Sequence, residues 1–158
     1  MQNLYRNILV GVDGSENAEH ALQRAIQFAT MHEAKLHIAH IIDTRALNTY
    51  ATVNYSYNDL ITEETVNALN DYKTFALDNG VKEVETIVEY GSPRTLMSKT
   101  IPEEYDIDLV IVGATGLNAV ERMFIGSVSE QIVRQAPCDV IVVRNVHEDT
   151  EPIRRQAE

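Results

Sequence analysis

Five short runs of β-branched and aliphatic residues recur along this chain, with helical or turn-forming stretches between them. They are Ile8–Val12 (ILVGV), Lys35–Ile42 (KLHIAHII), Val84–Tyr90 (VETIVEY), Leu109–Val112 (LVIV) and Asp139–Arg144 (DVIVVR). Runs this short and this apolar are what strands covered on both faces look like. Between the first two, Ala18, Ala21, Leu22, Ala25, Ile26 and Ala29 fall at helical spacing. Ser15 stands at the N-cap position, and Glu16 and Glu19 put negative charge at the positive end of the helix dipole. This spacing predicts a helix over Glu16–His32 and a right-handed strand–helix–strand unit. A second helix is expected from about Asp59 to Asp78, ended by Gly80. A third follows Gly91-Ser92-Pro93 and is expected to be short, because Pro102 does not suit a helix interior. A fourth starts after Gly126 and stops near Ala136-Pro137. Residues 43–58, with Tyr50, Tyr55 and Tyr57, show no clear period and read as a long loop that is helical in part at most. The alternation predicts an α/β fold: a doubly wound, Rossmann-like sheet of five parallel strands, expected order 3-2-1-4-5, with helices on both faces.

In such sheets ligands bind at the carboxyl ends of the strands, where the winding reverses direction. The first and fourth strands both run into turns of glycine and hydroxyl residues. The first has Gly11-Val12-Asp13-Gly14-Ser15. The fourth lies in Asp108–Ser129 (DLVIVGATGLNAVERMFIGSVS), where Gly113-Ala114-Thr115-Gly116 is followed by Gly126-Ser127-Val128-Ser129 at the start of a helix. Glycine lacks a Cβ, so Gly113, Gly116 and Gly126 permit positive φ and close approach of backbone to a ligand. Ser127 and Ser129 can cap the following helix or donate hydroxyls. Two ordinary glycine turns would leave the same trace as an anion cradle of backbone N–H groups, hydroxyls and a helix N-terminus. Two such turns meeting at one switch point favour the cradle.

Composition narrows the partners. The 158 residues suggest one domain over 1–147, with a charged tail over 148–158 expected to fray. A formal net charge of −11, with 13 scattered Lys and Arg residues, argues against nucleic acid as the main partner. It also suggests that a bound triphosphate would arrive with a divalent cation. No apolar run approaches the roughly 20 residues of a membrane span, and MQNLYRNILVGV lacks the pattern of a secretion leader. Cys138 is the single cysteine, so no internal disulfide can form, and a reducing cytoplasm is expected.

VGVDGSENAEHAL after the first strand, AHIID ending the second, and GATGLNAVERMFIGSVS together resemble the universal stress protein family. The last of these fits its nucleotide motif, Gly-x2-Gly-x9-Gly-Ser/Thr, as Gly113, Gly116, Gly126 and Ser127, and the resemblance spans roughly residues 3–145. It implies binding of ATP, or of AMP or ADP, with Mg²⁺ or Mn²⁺ held through the phosphates. Gly11, Val12 and Asp13 would line the nucleoside end, with the Asp13 carboxylate accepting from ribose hydroxyls. Ile41 would offer backbone groups to the adenine edge. Val112, Gly113, Thr115 and Gly116 would follow the ribose and phosphates, and Gly126, Ser127, Val128 and Ser129 would hold the phosphates and their metal. The resemblance further implies a homodimer paired through the last strand, Asp139–Arg144, which would cover an apolar sheet edge.

Other chemistries fit less well. Asp13 as a phospho-acceptor would want a neighbouring acid and a lysine near the last strand, where position 12 is Val12 and DVIVVRN has no lysine. No lysine lies between Gly113 and Ser129 to complete a Walker P-loop, and Arg122 is the cation of that segment. His37 and His40 point to opposite faces of a strand and do not suit a shared metal, His40 being expected near the crevice and His37 against a helix. His20 and His32 read as surface residues of the first helix, and Cys138 as a packed residue. A flavin or electron-transfer module shares the architecture and would show itself by flavin absorbance. With no catalytic base evident, the expected function is a non-catalytic, homodimeric, adenine-nucleotide-binding switch of the stress response that contacts a further protein. The alternative is a slow metal-dependent ATPase, or an autophosphorylating protein with Ser127 or Ser129 as acceptor.

Overall fold

The computed structural model describes residues 3–47, 55–114, 125–144 and Ile153, with the side chains of 46–47 and 55–61 excepted. Five strands form one all-parallel sheet: β1 (Asn7–Gly11), β2 (Lys35–Asp43), β3 (Val84–Gly91), β4 (Leu109–Gly113) and β5 (Asp139–Val143). Their order is β3-β2-β1-β4-β5, the doubly wound arrangement expected from the alternation. The winding reverses between β1 and β4, which lie side by side with Ile8 opposite Leu109 and Val10 opposite Ile111.

Period-2 alternation divides the strands between two cores. Ile8, Val10, Leu36, Ile38, Leu109 and Ile111 pack under α1 (Glu16–His32) and α3 (Tyr55–Asp78), against Leu22, Ile26, Leu69 and Tyr72. Leu9, Ala39, Val110 and Val112 face the other way, onto Met97, Ile101 and Ile132. These come from α6 (Ser127–Gln135) and from a helical stretch made of α4 (Pro93–Thr95), a π-turn (Leu96–Thr100) and α5 (Ile101–Glu104). α1 covers the predicted span, with the Ser15 hydroxyl accepting from the Ala18 N–H at 3.1 Å. Gly80 closes the α3 corner at φ +101°.

Two expectations need correction, the start of the second helix and the effect of Pro102. Residues 43–58, read as a loop helical in part at most, do contain helix: α2 (Thr44–Leu47) starts directly after β2. Asp43 opens it by accepting the Arg45 backbone N–H at 2.9 Å while pairing with the Arg45 guanidinium. α3 starts at Tyr55, ahead of the periodic pattern, with Tyr55 and Tyr57 on its first turn; Tyr50 lies outside the described residues. Pro102 does not cut the third helix short. The Ile101 N–H reaches back to the Leu96 carbonyl, five residues away, and this one-residue widening sets Pro102 in the first turn of α5, where a missing N–H costs little. Beyond β5, within the segment expected to fray, Ile153 is buried in the α1–α3 core.

Candidate functional site

The carboxyl ends of β1 and β4 are each tied down, by different means. At β1, the Val12 N–H donates to the Ala39 carbonyl at 2.9 Å, one rung beyond the end of the strand. Its carbonyl is held by the side chain of His40, whose Nδ1 lies 2.7 Å away. A ring nitrogen this close to a carbonyl oxygen carries a proton, so Nδ1–H is the donor. Asp13 then turns the chain, Oδ1 accepting from the Ser15 N–H at 2.9 Å. Gly14 follows at φ +83°, a conformation that glycine adopts without strain. The carboxylate of Asp13 remains exposed at the mouth of the turn.

At β4 the chain leaves the sheet and comes back to the same place. The Ala114 N–H donates to the Val143 carbonyl at 2.9 Å, and the Ala114 carbonyl accepts the Gly126 N–H at 2.7 Å. The buried Ser129 hydroxyl donates to the Gly113 carbonyl at 2.6 Å. These contacts fix the N-terminus of α6 against the end of β4. Gly126 is the N-cap and has no side chain to cap with. The Glu130 N–H is the one that starts the ladder, bonding the Gly126 carbonyl at 2.9 Å. The N–H groups of Ser127, Val128 and Ser129, like those of any first helical turn, have no intrahelical acceptor. They form a donor cluster at the positive end of the dipole, beside the switch point.

Gly11, Val12 and Asp13 follow β1; Val112 and Gly113 end β4; Gly126, Ser127, Val128 and Ser129 open α6. Ile41 lies on β2, two residues past Ala39, the partner of Gly11. All therefore sit at the carboxyl edge of the sheet. Thr115, Gly116 and Arg122 lie outside the described residues. The glycines act differently from expectation: Gly126 has an ordinary φ of −61°, and positive φ among the described glycines belongs to Gly14, Gly80 and Gly91. Gly113 is a contact requirement, because a Cβ there would lie 2.9 Å from the Asn17 carbonyl oxygen on α1. His40 was read from sequence as near the crevice, and its bond to Val12 makes it part of the β1 turn. Nothing in the sequence pairs those two residues.

The remaining titratable groups stand apart. His37 is buried on the opposite face of β2, edge-on to Tyr105 at 5.4 Å, with Nε2 3.3 Å from Asn7 Oδ1. Burial pushes its pKa down. Burial, aided by Asp108 and Asp139, pushes the Cys138 thiol up to about 11, so it is protonated at neutral pH and packs rather than attacks. Among the described residues no group of three or more His, Cys, Asp or Glu side chains could hold a metal. A separate open groove of about 500 Å³ lies between α1 and α3, lined by residues including Gln23, Ile26, Thr30 and Phe75, away from the strand ends.

A doubly wound sheet whose switch point carries a glycine–hydroxyl turn on each side defines a class of α/β proteins, and comparison with known proteins assigns the branch. The universal stress protein family model matches residues 4–144. A protein of Staphylococcus aureus (strain USA300) that bears the universal stress protein name is 46% identical over 140 residues, covering 89% of this chain and 84% of its own length. The solved universal stress protein UspA from Lactobacillus plantarum is 31% identical, with a TM-score of 0.77 over 89% of this chain and 98% of its own. A universal stress protein solved in complex with cAMP is 27% identical, with a TM-score of 0.64 over 89% of this chain and 97% of its own. The chain belongs to the universal stress protein family.

Proposed function

We propose that this chain binds an adenine nucleotide, ATP with Mg²⁺ or Mn²⁺ in the first instance, at the carboxyl ends of β1 and β4, and works as a homodimeric switch in a stress response. The observation that carries the reading is the open first turn of α6, held against β4 by the Gly126–Ala114 and Ser129–Gly113 bonds. Its N–H groups would take the phosphates, Ser127 adding an exposed hydroxyl. Val112, Gly113, Thr115 and Gly116 would follow the ribose and phosphates, and Gly11, Val12 and Asp13 the nucleoside, with the Asp13 carboxylate accepting from ribose. Ile41 would meet the base. The cAMP complex of a relative supports an adenine nucleotide as the ligand class. The dimer would form through β5, which has β4 on one side only.

Calorimetric titration with MgATP tests this, comparing the wild type with Gly126→Asp. Position 126 has the extended backbone of an N-cap, φ −61° and ψ 159°. Aspartate suits that geometry, caps the N–H groups the phosphate would use, and adds a repelling charge. Binding by the wild type that is lost in a folded Gly126→Asp variant supports the site. Equal binding by both would place the nucleotide elsewhere.

A further inference from the structure

We infer that His40 is a positioning residue that ends the β1–β2 ladder one rung early and so keeps the backbone of Ile41 open to a ligand's base. The inference rests on the nucleotide site proposed above. In a parallel pair the N–H and C=O of one residue point to the same neighbouring strand, and residues alternate between neighbours. On β2 the even positions face β3, as the Leu36 N–H bonding the Glu83 carbonyl at 2.9 Å shows. The odd positions face β1: the Lys35 N–H bonds the Arg6 carbonyl at 2.8 Å, and the Ala39 carbonyl takes the Val12 N–H at 2.9 Å. The next rung by this pattern would run from the Ile41 N–H to the Val12 carbonyl. Among the described residues no backbone bond makes it.

The Val12 carbonyl is instead occupied by the His40 imidazole at 2.7 Å. Two consequences follow. The Val12 peptide is fixed without its next rung, so the chain can turn at once through the Asp13 and Gly14 corner. Ile41 is left with an N–H and a C=O on the β1 side, past the end of β1, at the level of Asp13. A neighbouring donor and acceptor of this kind match N1 and the 6-amino group of an adenine, acceptor and donor respectively. Leaving a peptide pair unmatched where a ligand would cover it is costly, so an open pair on half-buried Ile41 at the sheet's ligand-binding edge calls for a partner. His40 supplies the condition for it, by doing for Val12 what Ile41 would otherwise do.

The experiment measures amide hydrogen exchange at Ile41 in the free protein, together with MgATP titration, in wild type, His40→Phe and His40→Asn. Phenylalanine keeps the ring and loses the donor, while the Asn amide nitrogen can stand where Nδ1 was. The inference expects fast exchange at Ile41 in the wild type and in His40→Asn. In His40→Phe it expects protection, as the rung to Val12 closes, and MgATP binding about tenfold weaker, the size of one lost hydrogen-bonded pair. Identical Ile41 exchange in all three proteins would overturn the role of His40. No MgATP binding by the wild type would overturn the nucleotide reading alone, because the exchange measurement uses no ligand.

Discussion

Position 113 has no room for a methyl group: a Cβ there would lie 2.9 Å from the Asn17 carbonyl oxygen and 3.1 Å from the Asn17 Cβ. Neither neighbour can swing away without moving the first turn of α1. Gly113→Ala should therefore cost about 1–3 kcal/mol in denaturant unfolding, the usual range for overpacking. Gly11→Ala should cost less, since its Cβ would meet the Met97 Cε, the far end of a flexible side chain. The sequence singled out both glycines, Gly11 at the nucleoside end and Gly113 for positive φ and close approach to phosphate; helix-on-strand contact at Gly113 depends on a crossing distance that no local pattern encodes. His37 gives a second residue-scale prediction. Burial lowers its folded pKa below the ordinary histidine value, so the folded state favours the neutral ring. As pH falls below about 6.5 the unfolded chain takes up this proton first, and the contribution is lost as pH drops toward the folded value. The melting temperature should fall from about pH 7 to about pH 5.5, and His37→Leu should flatten that slope. An unchanged slope in the variant would assign the loss to other groups.

At the scale of elements, α6 carries the proposed site, and its attachment to β4 fixes where the helix starts. Ser129→Ala removes the donor to the Gly113 carbonyl and should cost about 1–2 kcal/mol by leaving a partly buried acceptor unmet. Gly126→Asp should keep or raise the melting temperature, since aspartate is a better N-cap than glycine. That pair of results would separate holding the helix from offering its N–H groups. Legibility was uneven here for physical reasons. α1 and the strands were readable because burial imposes a strict period on Ala18–Ala29 and on the β-branched runs. The π-turn was not, because Pro102 breaks the expected hydrogen-bond ladder and the structure answers by slipping the register at Leu96–Thr100. α2 is set by one side chain, Asp43, rather than by periodicity. The His40–Val12 bond joins two strands and leaves no sequence spacing to read.

For the whole molecule, the proposed ligand would lie at one edge of the sheet and the proposed second copy along another. On β5 the Val143 carbonyl faces β4, so by alternation the N–H and C=O of Val142 face outward. Val142→Pro removes an outward donor and spares the rungs to β4. Sedimentation should show a dimer for wild type and a monomer for this variant; an unchanged dimer would place the interface off β5. The central claim, a nucleotide at the switch point, is tested most directly by mapping amide chemical-shift changes as MgATP is added to isotope-labelled protein. The account predicts that the largest changes fall at Gly11, Val12, Asp13, Ile41, Gly113 and Ser127–Ser129. Changes concentrated instead at Gln23, Ile26, Thr30 and Phe75, in the groove between α1 and α3, would contradict it, as would no change at all.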